Sequence, residues 1–346
     1  MFPSKKIKVL IVDDSVFFRK FLIDNLAKQS SLEIVGYAIN AYDAKLKIPK
    51  LKPDVLTLDI EMPGMTGIDF LKQLMVENPL PVLLVSSLNI SVFDALAAGA
   101  VDFVRKPNVN SKNSLDQFIA ELSRKIVVAS YSKVRIHAPV RSNSVTPLKS
   151  TSVSALKRNS MIIAIGASTG GTEATLAILK QLPQNVPGIV VTQHMPPGFT
   201  KMYAERLNKI CRITVKEAKN GDPILPGQAL IAPGDKQMKV VKLGTNYTVS
   251  CYDGAKVSGH KPSVDVLFHS VANSVGANAM GVILTGMGSD GAAGLLAMRQ
   301  KGAYTIGQNK ESCVVYGMPM VAYNIGGVCI QAPCEKIADI IMGKLK

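Results

Sequence analysis

The sequence has no tryptophan, and no apolar run in it approaches the roughly 18 residues that a membrane span needs. Its first apolar run, in MFPSKKIKVLIVDDS, ends in two aspartates without a small-residue cleavage site, so it predicts a strand and not a signal peptide. Only 19% of the residues are charged and 47% are hydrophobic, which argues against disorder. Because the chain has 346 residues, we expect two domains with sizeable cores and no membrane insertion.

Cysteine is also scarce, and the five cysteines form no C-x-x-C pair. The four histidines are scattered, so no zinc-ligand spacing occurs. This pattern indicates reduced, mostly structural cysteines in a cytoplasmic protein.

Acidic residues are missing from 131–158, in a chain whose net charge is +15. This stretch is rich in Ser, Thr, Pro and Val and has no helical or strand period, so we interpret it as a basic, flexible linker between domains at 1–130 and 159–346. Its charge could attract nucleic acid, anionic lipid or an acidic protein surface, or the linker could simply be solvated. Its six basic residues are Lys133, Arg135, Arg141, Lys149, Lys157 and Arg158.

Residues 1–130 alternate strand and helix signals, with helical segments such as Val16–Gln29 and Gly67–Glu77 between apolar strands. Continuous apolar strands are typical of a parallel sheet that helices cover on both faces. Polar residues follow four of these strands, and such strand ends converge on one crevice in a doubly wound sheet. These residues are Asp13, Asp14, Asp59, Ser86 and Lys106.

Carboxylates that share a crevice repel one another unless a cation neutralises them, and oxygen ligands of this kind suit Mg²⁺. A lysine beside them would bind an anion such as a phosphoryl group. One carboxylate could then attack phosphorus and form an acyl phosphate. A single aspartate here would ordinarily be a helix cap or a surface residue, but five matched positions favour a shared site.

Residues 5–125 resemble a response-regulator receiver domain in the motifs VDDS, LDIEMPGMTG, VSS and FVRKP. The resemblance implies a flavodoxin-like doubly wound fold in which Asp59 accepts a phosphoryl group. It also implies a phosphoryl contact from Lys106 and switch positions at Ser86 and Phe103. The implied Mg²⁺ ligands are Asp13, Asp14, Asp59 and the backbone carbonyl of Glu61.

One segment departs from the receiver pattern. The stretch SSLNISVFDALAAGA is several residues shorter than is usual in such domains. We therefore expect an abbreviated fourth helix or an abbreviated loop before it, with a changed switch surface and an unchanged phosphorylation site.

Residues 159–346 alternate strand and helix signals again, which predicts a second doubly wound, mostly parallel α/β domain. Within it, QMKVVKLGTNYTVSCYDG has two short alternating segments around Gly244-Thr245-Asn246 and predicts an inserted β-hairpin. The predicted strands are Met161–Gly166, Gly188–Gln193, Gln228–Ala232 and Gly281–Met287. The predicted helices are Thr172–Leu182, Phe199–Ile210, Ser263–Val275 and Gly291–Lys301.

The stretch IGASTGG joins the first of these strands to the first helix, and two chemistries use such a turn. A dinucleotide-binding site would need an acidic residue at the end of the next strand, about 20 residues further on. No Asp or Glu lies between Glu173 and Glu205, so we reject that interpretation. The alternative is the hydrolase motif G-x-S-x-G, which would expose the hydroxyl of Ser168 at the top of a sheet.

A nucleophilic serine needs a base, and the base needs an orienting partner. His194 follows the second predicted strand and Asp290 follows the fourth, so both can reach the crevice of Ser168. The chain order Ser, His, Asp differs from the order in α/β-hydrolases. Backbone N–H groups of Ser168–Gly171 and of Gly286-Met287-Gly288 could form an oxyanion hole.

Each of these residues has a simpler interpretation when it is taken alone. Ser168 could be a helix N-cap, His194 could be a partly buried loop residue, and Asp290 could cap the helix that begins at Gly291. The remaining histidines are predicted to line the crevice (His260), to pack within an amphipathic helix (His269) and to lie in the linker (His137).

Residues 159–344 closely resemble the catalytic domain of chemotaxis protein-glutamate methylesterases, the CheB family. The matching motifs are IGASTGGTEA, VVTQHMPPGFT, EAKNGDPILPGQALIAPGDKQM, KPSVDVLFHSVA, ILTGMGSDGAAGL and SCVVYGMP. With the receiver in front, the resemblance covers nearly the whole chain. It implies that Ser168 is the nucleophile, His194 the base and Asp290 its orienting acid.

The same resemblance implies oxyanion donors from the backbone of Met287 and of Thr169. Gln237 is a departure, because the family often has histidine at this position. Since the position is outside the implied triad, we expect it to tune a substrate groove at most.

The site residues and the resemblance together predict a serine esterase that its receiver controls. The resemblance implies that its substrates are glutamyl methyl esters, and glutamine amides, on methyl-accepting chemotaxis receptors, and that a chemotaxis histidine kinase phosphorylates it. Phosphorylation of Asp59 with Mg²⁺ would move the receiver off the crevice, and the esterase itself would need no cofactor.

Two alternatives stay open at this point. One is an esterase with a substrate outside chemotaxis. The other is a receiver with a DNA-binding output, which the charge of +15 suggests. No helix-turn-helix pattern accompanies the basic stretch, so we expect no nucleic-acid partner.

Overall fold

The computed structural model describes residues 5–87, 91–107, 112–134 and 160–345. The chain forms two compact units, Met1–Arg141 and Ser142–Lys346. Beyond residue 134, the predicted basic linker, which includes His137, lies outside the described residues. The domain boundaries at 130 and 158 therefore stay predictions.

The described residues of the first unit form five strands and five helices. The strands are β1 (Ile7–Val12), β2 (Leu32–Ala38), β3 (Val55–Leu58), β4 (Val82–Ser86) and β5 (Asp102–Arg105). The helices are α1 (Val16–Leu26), α2 (Ala41–Leu51), α3 (Gly67–Glu77), α4 (Ser91–Ala97) and α5 (Lys112–Ser130).

All five strands of the first unit are parallel, in the order β2-β1-β3-β4-β5. Strands β3 and β4 are buried throughout, as expected where both faces of a sheet are covered. The predicted flavodoxin-like fold is confirmed. The strand order reverses between β1 and β3, and Asp13 and Asp59 follow these two strands, at the position where doubly wound sheets bind ligands.

The short segment after β4 contains a short helix. Helix α4 has 7 residues, whereas α1, α2 and α3 have 11 each. The longer helices begin after Ser15, Asn40 and Thr66, and each of these side chains accepts a backbone N–H of the first turn. Residues 88–90, directly before α4, lie outside the described residues, so the expectation of an abbreviated helix or an abbreviated loop stays a prediction.

The second unit contains nine strands and six α-helices in the described residues. The strands are β6 (Ile162–Ala167), β7 (Gly188–Gln193), β8 (Thr214–Glu217), β9 (Gln228–Ile231), β10 (Gln237–Leu243), β11 (Asn246–Tyr252), β12 (Ala279–Ile283), β13 (Tyr304–Gln308) and β14 (Ile330–Ala332). The helices are α6 (Gly171–Leu179), α7 (Phe199–Ile210), α8 (Val264–Ser274), α9 (Ala292–Gln300), α10 (Met318–Asn324) and α11 (Cys334–Lys344).

Seven of these strands form a parallel sheet in the order β14-β13-β12-β6-β7-β9-β8. Strands β10 and β11 form a separate antiparallel hairpin around Gly244, so the predicted hairpin insertion is confirmed. Strands β7, β9 and β8 lie on one side of β6, and strands β12, β13 and β14 lie on its other side. A ligand crevice is therefore expected where β6 and β12 lie side by side.

Strand β12 differs from its prediction, because it runs from Ala279 to Ile283 and not from Gly281 to Met287. Beyond β12, the N–H of Gly286 donates to the carbonyl of Val315 at 3.0 Å. The chain therefore leaves the sheet early to contact a segment about 30 residues further on, and local apolarity does not reveal this.

Strands β8, β13 and β14 were not predicted from the sequence. β8 and β14 are the two edges of the sheet and have only 4 and 3 residues. β13 contains a glycine, which weakens a strand signal. Short, partly exposed or glycine-containing strands lack the long apolar run on which the prediction depended.

The core of the second unit joins helices, sheet and hairpin. Phe268 of α8 and Leu295 of α9 are fully buried, and Met238 and Val240 of the hairpin belong to the same cluster. The hairpin is thus fixed to the rest of the unit by apolar packing. No helix in the described ranges is long and apolar enough to cross a membrane.

Candidate active site and phosphoacceptor site

The aspartates predicted at the end of the first sheet lie together. Asp13 and Asp59 are buried, Asp14 is exposed, and one carboxylate oxygen from each lies within 4.8 Å of the others. Nζ of Lys106 lies 2.6 Å from Oδ2 of Asp59 and 3.2 Å from Oδ2 of Asp13. Three carboxylates and one amine are a donor set that could hold a divalent cation beside an anion.

The charges of this cluster influence one another strongly. Burial raises the pKa of Asp59, and the negative charge of Asp13 adds to the rise, although Lys106 acts in the opposite direction. For Lys106, burial lowers the pKa, but the hydrogen bonds and charges of Asp59 and Asp13 outweigh it, so its pKa is raised. The amine is therefore held in its charged form beside the carboxylates.

Of the two predicted switch residues, Ser86 is bonded to a member of this cluster through its backbone. Ser86 is fully buried, and its hydroxyl has no hydrogen-bond partner within the described residues. Its carbonyl accepts the N–H of Lys106 at 2.8 Å, which ties the ends of β4 and β5 together. Phe103 is buried on β5, and the N–H of Glu61 donates to Oδ1 of Asp59 at 3.1 Å. Their switch and ligand roles stay predictions.

Ser168 lies directly after β6, in the turn that leads to α6. Its N–H donates to the carbonyl of Thr285 at 3.0 Å. A Cβ atom at position 286 would lie only 2.6 Å from the Cβ of Ser168, so this close approach requires Gly286. The N-cap of α6 is Gly170, with a φ of 77° and no side-chain capping bond. The interpretation of Ser168 as an N-cap is therefore wrong.

His194 and Asp290 form a buried pair at the same end of the sheet. Nε2 of His194 lies 2.7 Å from Oδ2 of Asp290, and the two side chains are 8% and 1% exposed. An ionised carboxylate only accepts hydrogen bonds, so Nε2 carries a hydrogen, and Nδ1 is the nitrogen that can act as a base whenever the ring is neutral. Nδ1 is buried and has no hydrogen-bond partner in the described part of the chain.

Two hydrogen bonds fix the end of β7 against the end of β6. The N–H of His194 donates to the carbonyl of Ala167 at 3.1 Å, and the Nε2 group of Gln193 donates to the carbonyl of Ser168 at 2.9 Å. Gln193 is buried and was missed in the sequence, where an amide beside a candidate base carries no distinctive pattern. The structure thus brings the predicted serine and histidine together through their neighbours.

Asp290 accepts three more hydrogen bonds, all from the N-terminus of α8. Ser263 Oγ donates at 2.7 Å, and the N–H groups of Val264 and Asp265 donate at 2.7 and 3.0 Å. The N-cap of α9 is Gly291, so Asp290 contacts the start of α8 and does not cap the helix that follows it. A helix N-terminus favours a negative charge, which suits an ionised orienting acid.

The four donors decide the protonation state of Asp290. Burial by itself would raise the pKa of this carboxyl group, but the hydrogen bond and charge of His194 outweigh it, together with the hydrogen bonds from Ser263 and from the Asp265 backbone. Its pKa is therefore lowered. The neighbouring Asp265 shows the opposite result, because burial and the charge of Asp290 raise its pKa.

We expect Asp265→Asn to stabilise the chain at pH 7. An asparagine oxygen can still accept the N–H of Gly294, which donates to Oδ1 of Asp265 at 2.8 Å. A carboxyl whose pKa rises on folding carries its charge at a cost above that raised pKa, and the cost disappears below the ordinary value of 3.8, where both states are protonated. Urea unfolding should show a higher midpoint for the variant at pH 7 and no difference near pH 3. A lower midpoint at pH 7 contradicts this prediction.

The predicted oxyanion donors differ in their surroundings. The N–H of Met287 donates to no other group in the described residues, and Met287 is 36% exposed. Thr169 is buried, and its carbonyl accepts the hydroxyl of Thr285 at 3.0 Å. The N–H groups of Ser168 and Gly171 donate to the carbonyls of Thr285 and Ser168. These two donors are already used, so that part of the expected oxyanion hole is wrong.

Three further predicted positions have clear outcomes. His260 lies against His194, with parallel rings whose centroids are 3.7 Å apart. His269 is exposed on α8, so the prediction that this side chain packs against neighbouring residues of the fold is wrong. Gln237 is 1% exposed at the start of β10, so its side chain does not line a groove that substrate could touch.

These observations define the class of the protein. It couples a five-stranded receiver-type unit, with an aspartate and lysine cluster, to a seven-stranded α/β unit in which serine, histidine and aspartate follow neighbouring strands. Two family models match the same division of the chain. CheB methylesterase matches residues 163–341, and the response regulator receiver domain matches residues 9–119.

Known proteins resemble this chain along nearly its full length. A protein-glutamate methylesterase/protein-glutamine glutaminase 2 of Syntrophomonas wolfei is 53% identical, over 97% of this chain and 97% of that protein. The protein-glutamate methylesterase/protein-glutamine glutaminase of Escherichia coli K12 is 47% identical, over 98% and 97%. The crystal structure of the Thermotoga maritima CheB methylesterase catalytic domain covers 53% of this chain and 98% of its own, with 37% identity and a TM-score of 0.52. This chain belongs to the CheB methylesterase family and carries a response regulator receiver domain.

Proposed function

We propose that this chain hydrolyses the methyl esters of glutamate side chains on chemotaxis receptors, deamidates glutamine side chains there, and works faster when its receiver is phosphorylated. The buried His194–Asp290 pair beside Ser168 is the observation that supports it best. The relatives that match nearly the whole chain carry the names of both activities.

Each residue has one step in the proposed reaction. The Oγ of Ser168 attacks the ester carbon while its proton passes to Nδ1 of His194, and the charge of Asp290 stabilises the imidazolium. The N–H of Met287 is free to donate to the oxyanion of the tetrahedral intermediate, with Thr169 as the second predicted donor. The proton on Nδ1 then leaves with methanol, or with ammonia from an amide. Water, deprotonated by the same nitrogen, releases the carboxylate and restores the serine.

The receiver would control this reaction through Asp59. A chemotaxis histidine kinase would donate the phosphoryl group, and Lys106 would contact its oxygens. Asp13, Asp14 and Asp59 would hold Mg²⁺ with the carbonyl of Glu61. When bound, Mg²⁺ would neutralise the carboxylates and the incoming phosphoryl oxygens.

The positive charge of the chain favours an acidic partner. A net charge of +15 attracts anionic surfaces over a distance of about one Debye length, roughly 8 Å at physiological salt. A receptor segment rich in glutamate is such a surface. The cytoplasmic location and the absence of a nucleic-acid partner stay predictions.

The direct test uses receptor-containing membranes that carry tritiated methyl esters. The full-length chain should release labelled methanol, and the rate should rise when a small phosphodonor and Mg²⁺ are added. If methanol appears no faster than in buffer, this substrate assignment fails.

We expect Asp59→Asn to abolish the response to phosphodonor while leaving the basal methanol release of the unphosphorylated chain. Asparagine has nearly the shape of the aspartate but lacks the nucleophilic oxygen that forms the acyl phosphate. Exposed Asp24 on α1 provides the control, because Asp24→Asn should respond to phosphodonor as the parent does. A full phosphodonor response in Asp59→Asn would overturn the assignment of the phosphoacceptor.

A further inference from the structure

Gln237 is a buried polar side chain outside the predicted triad. It is 1% exposed at the first position of β10, and its amide makes three hydrogen bonds. Its Nε2 group donates to the carbonyls of Ala255 and His260 at 2.9 and 3.2 Å, and its Oε1 accepts the N–H of Ser263 at 2.8 Å. Only this orientation of the amide suits two acceptors and one donor, so the network fixes the side chain.

One branch of this network leads to Asp290. The N–H that Gln237 binds belongs to Ser263, whose hydroxyl donates to Oδ1 of Asp290 at 2.7 Å. Ser263 is also the N-cap residue of α8, and the next two N–H groups of that helix donate to the same carboxylate. The backbone position of Ser263 therefore influences how the carboxylate faces His194.

The other branch leads to His194. Gln237 holds the carbonyl of His260, and the ring of His260 stacks on the ring of His194 with an interplanar angle of 8°. A parallel ring at 3.7 Å restricts tilting of the His194 imidazole about its bond to Asp290. The same amide thus binds two points of the loop between β11 and α8, one next to Asp290 and one next to His194.

We propose that Gln237 is a positioning residue for the His194–Asp290 pair. It acts through Ser263 on the carboxylate and through His260 on the imidazole plane, and it touches no substrate because it is buried. The inference depends on the proposed esterase function. A misplacement of about 1 Å in such a pair can lower the rate roughly 100-fold. Loss of the three hydrogen bonds of Gln237 should therefore lower kcat more than it changes KM.

The test compares Gln237→Met with the parent in the full-length chain. Methionine has nearly the same length but no donor and only a weakly accepting sulfur, so Ala255, His260 and Ser263 lose their contacts with this side chain. We expect kcat for methyl ester hydrolysis to fall about 10- to 100-fold with KM changed less than about threefold. Acylation of Ser168 by phenylmethylsulfonyl fluoride, which forms a sulfonyl ester at Oγ with loss of fluoride and needs no receptor, should slow by a similar factor.

Two further variants separate positioning from a general loss of stability. Gln237→His should recover most of the acylation rate, because imidazole offers one donor and one acceptor to the same partners. Gln228, a partly buried glutamine on β9, provides the control. Gln228→Met should acylate at the parent rate. If circular dichroism shows that Gln237→Met is unfolded, Gln237→Asn replaces it. The shorter amide cannot reach both His260 and Ser263.

The outcomes distinguish this inference from the proposed function. Parent-like acylation in Gln237→Met or Gln237→Asn overturns the inference, and so does an equal slowing in Gln228→Met. A change confined to KM also overturns it and indicates a groove effect. If the receptor releases no methanol while the acylation differences hold, the substrate assignment fails and the positioning role of Gln237 stands.

Discussion

Ser168→Ala is expected to lower methanol release from methylated receptor by about 10⁶-fold, to the background set by binding and oxyanion stabilisation alone. The reason is that the substitution removes the hydroxyl that would form the acyl intermediate. The turn after β6 is held by the N–H of Ser168 on Thr285 and by the close approach of Gly286, and alanine keeps both. The variant should therefore remain folded and bind receptor as the parent does.

The measurement is the rate of labelled methanol release, with circular dichroism and thermal unfolding as checks of the fold. Ser250, a partly exposed serine on β11, gives a matched control, and Ser250→Ala should hydrolyse at the parent rate. A Ser168→Ala chain that retains more than about one hundredth of the parent rate would show that another group is the nucleophile.

Asp290→Asn is expected to lower kcat by about 10⁴-fold. Each carboxylate oxygen of Asp290 accepts two hydrogen bonds, one of them from a backbone N–H of α8. Whichever oxygen becomes an NH₂ group, that group then faces a donor. If it faces His194, the ring must move its hydrogen to Nδ1, which removes the basic nitrogen that Ser168 needs.

Pre-steady-state acylation by a fluorosulfonyl reagent measures this loss at Ser168 without receptor. Asp253→Asn, in an exposed loop after β11, is the matched control and should leave acylation unchanged. If Asp290→Asn acylates within about tenfold of the parent, the carboxylate does not orient the base, and the proposed mechanism is wrong.

The fold was largely predictable because its signals are local. Continuous apolar runs marked the strands of the first sheet, and β7 and α7 have the bounds that the sequence predicted. The polar residues at strand ends followed from the same pattern. The edge strands β8 and β14 escaped prediction because short, partly exposed segments bury too little apolar surface to leave a pattern.

The surroundings of the site were less predictable because they depend on contacts between distant segments. Asp290 was considered as a cap of the helix that follows it, but it lies at the start of α8, about 26 residues earlier in the chain. Gln237 was expected to influence a groove, but it is buried against the loop between β11 and α8. In both cases the actual contacts come from a segment that is distant in the sequence, which a local pattern does not reveal.

The sequence by itself determined the two α/β units, the family, and the identity of the polar residues at the strand ends, because apolar periodicity and short motifs are properties of neighbouring residues. Only the tertiary structure decided which nitrogen of His194 faces Asp290, that four donors hold that carboxylate in its charged form, and that Gln237 holds the loop between β11 and α8, which contacts both members of the pair. The physical reason is that hydrogen-bond direction and burial depend on contacts between segments that are distant in the sequence. The packing of whole helices on a sheet determines these contacts.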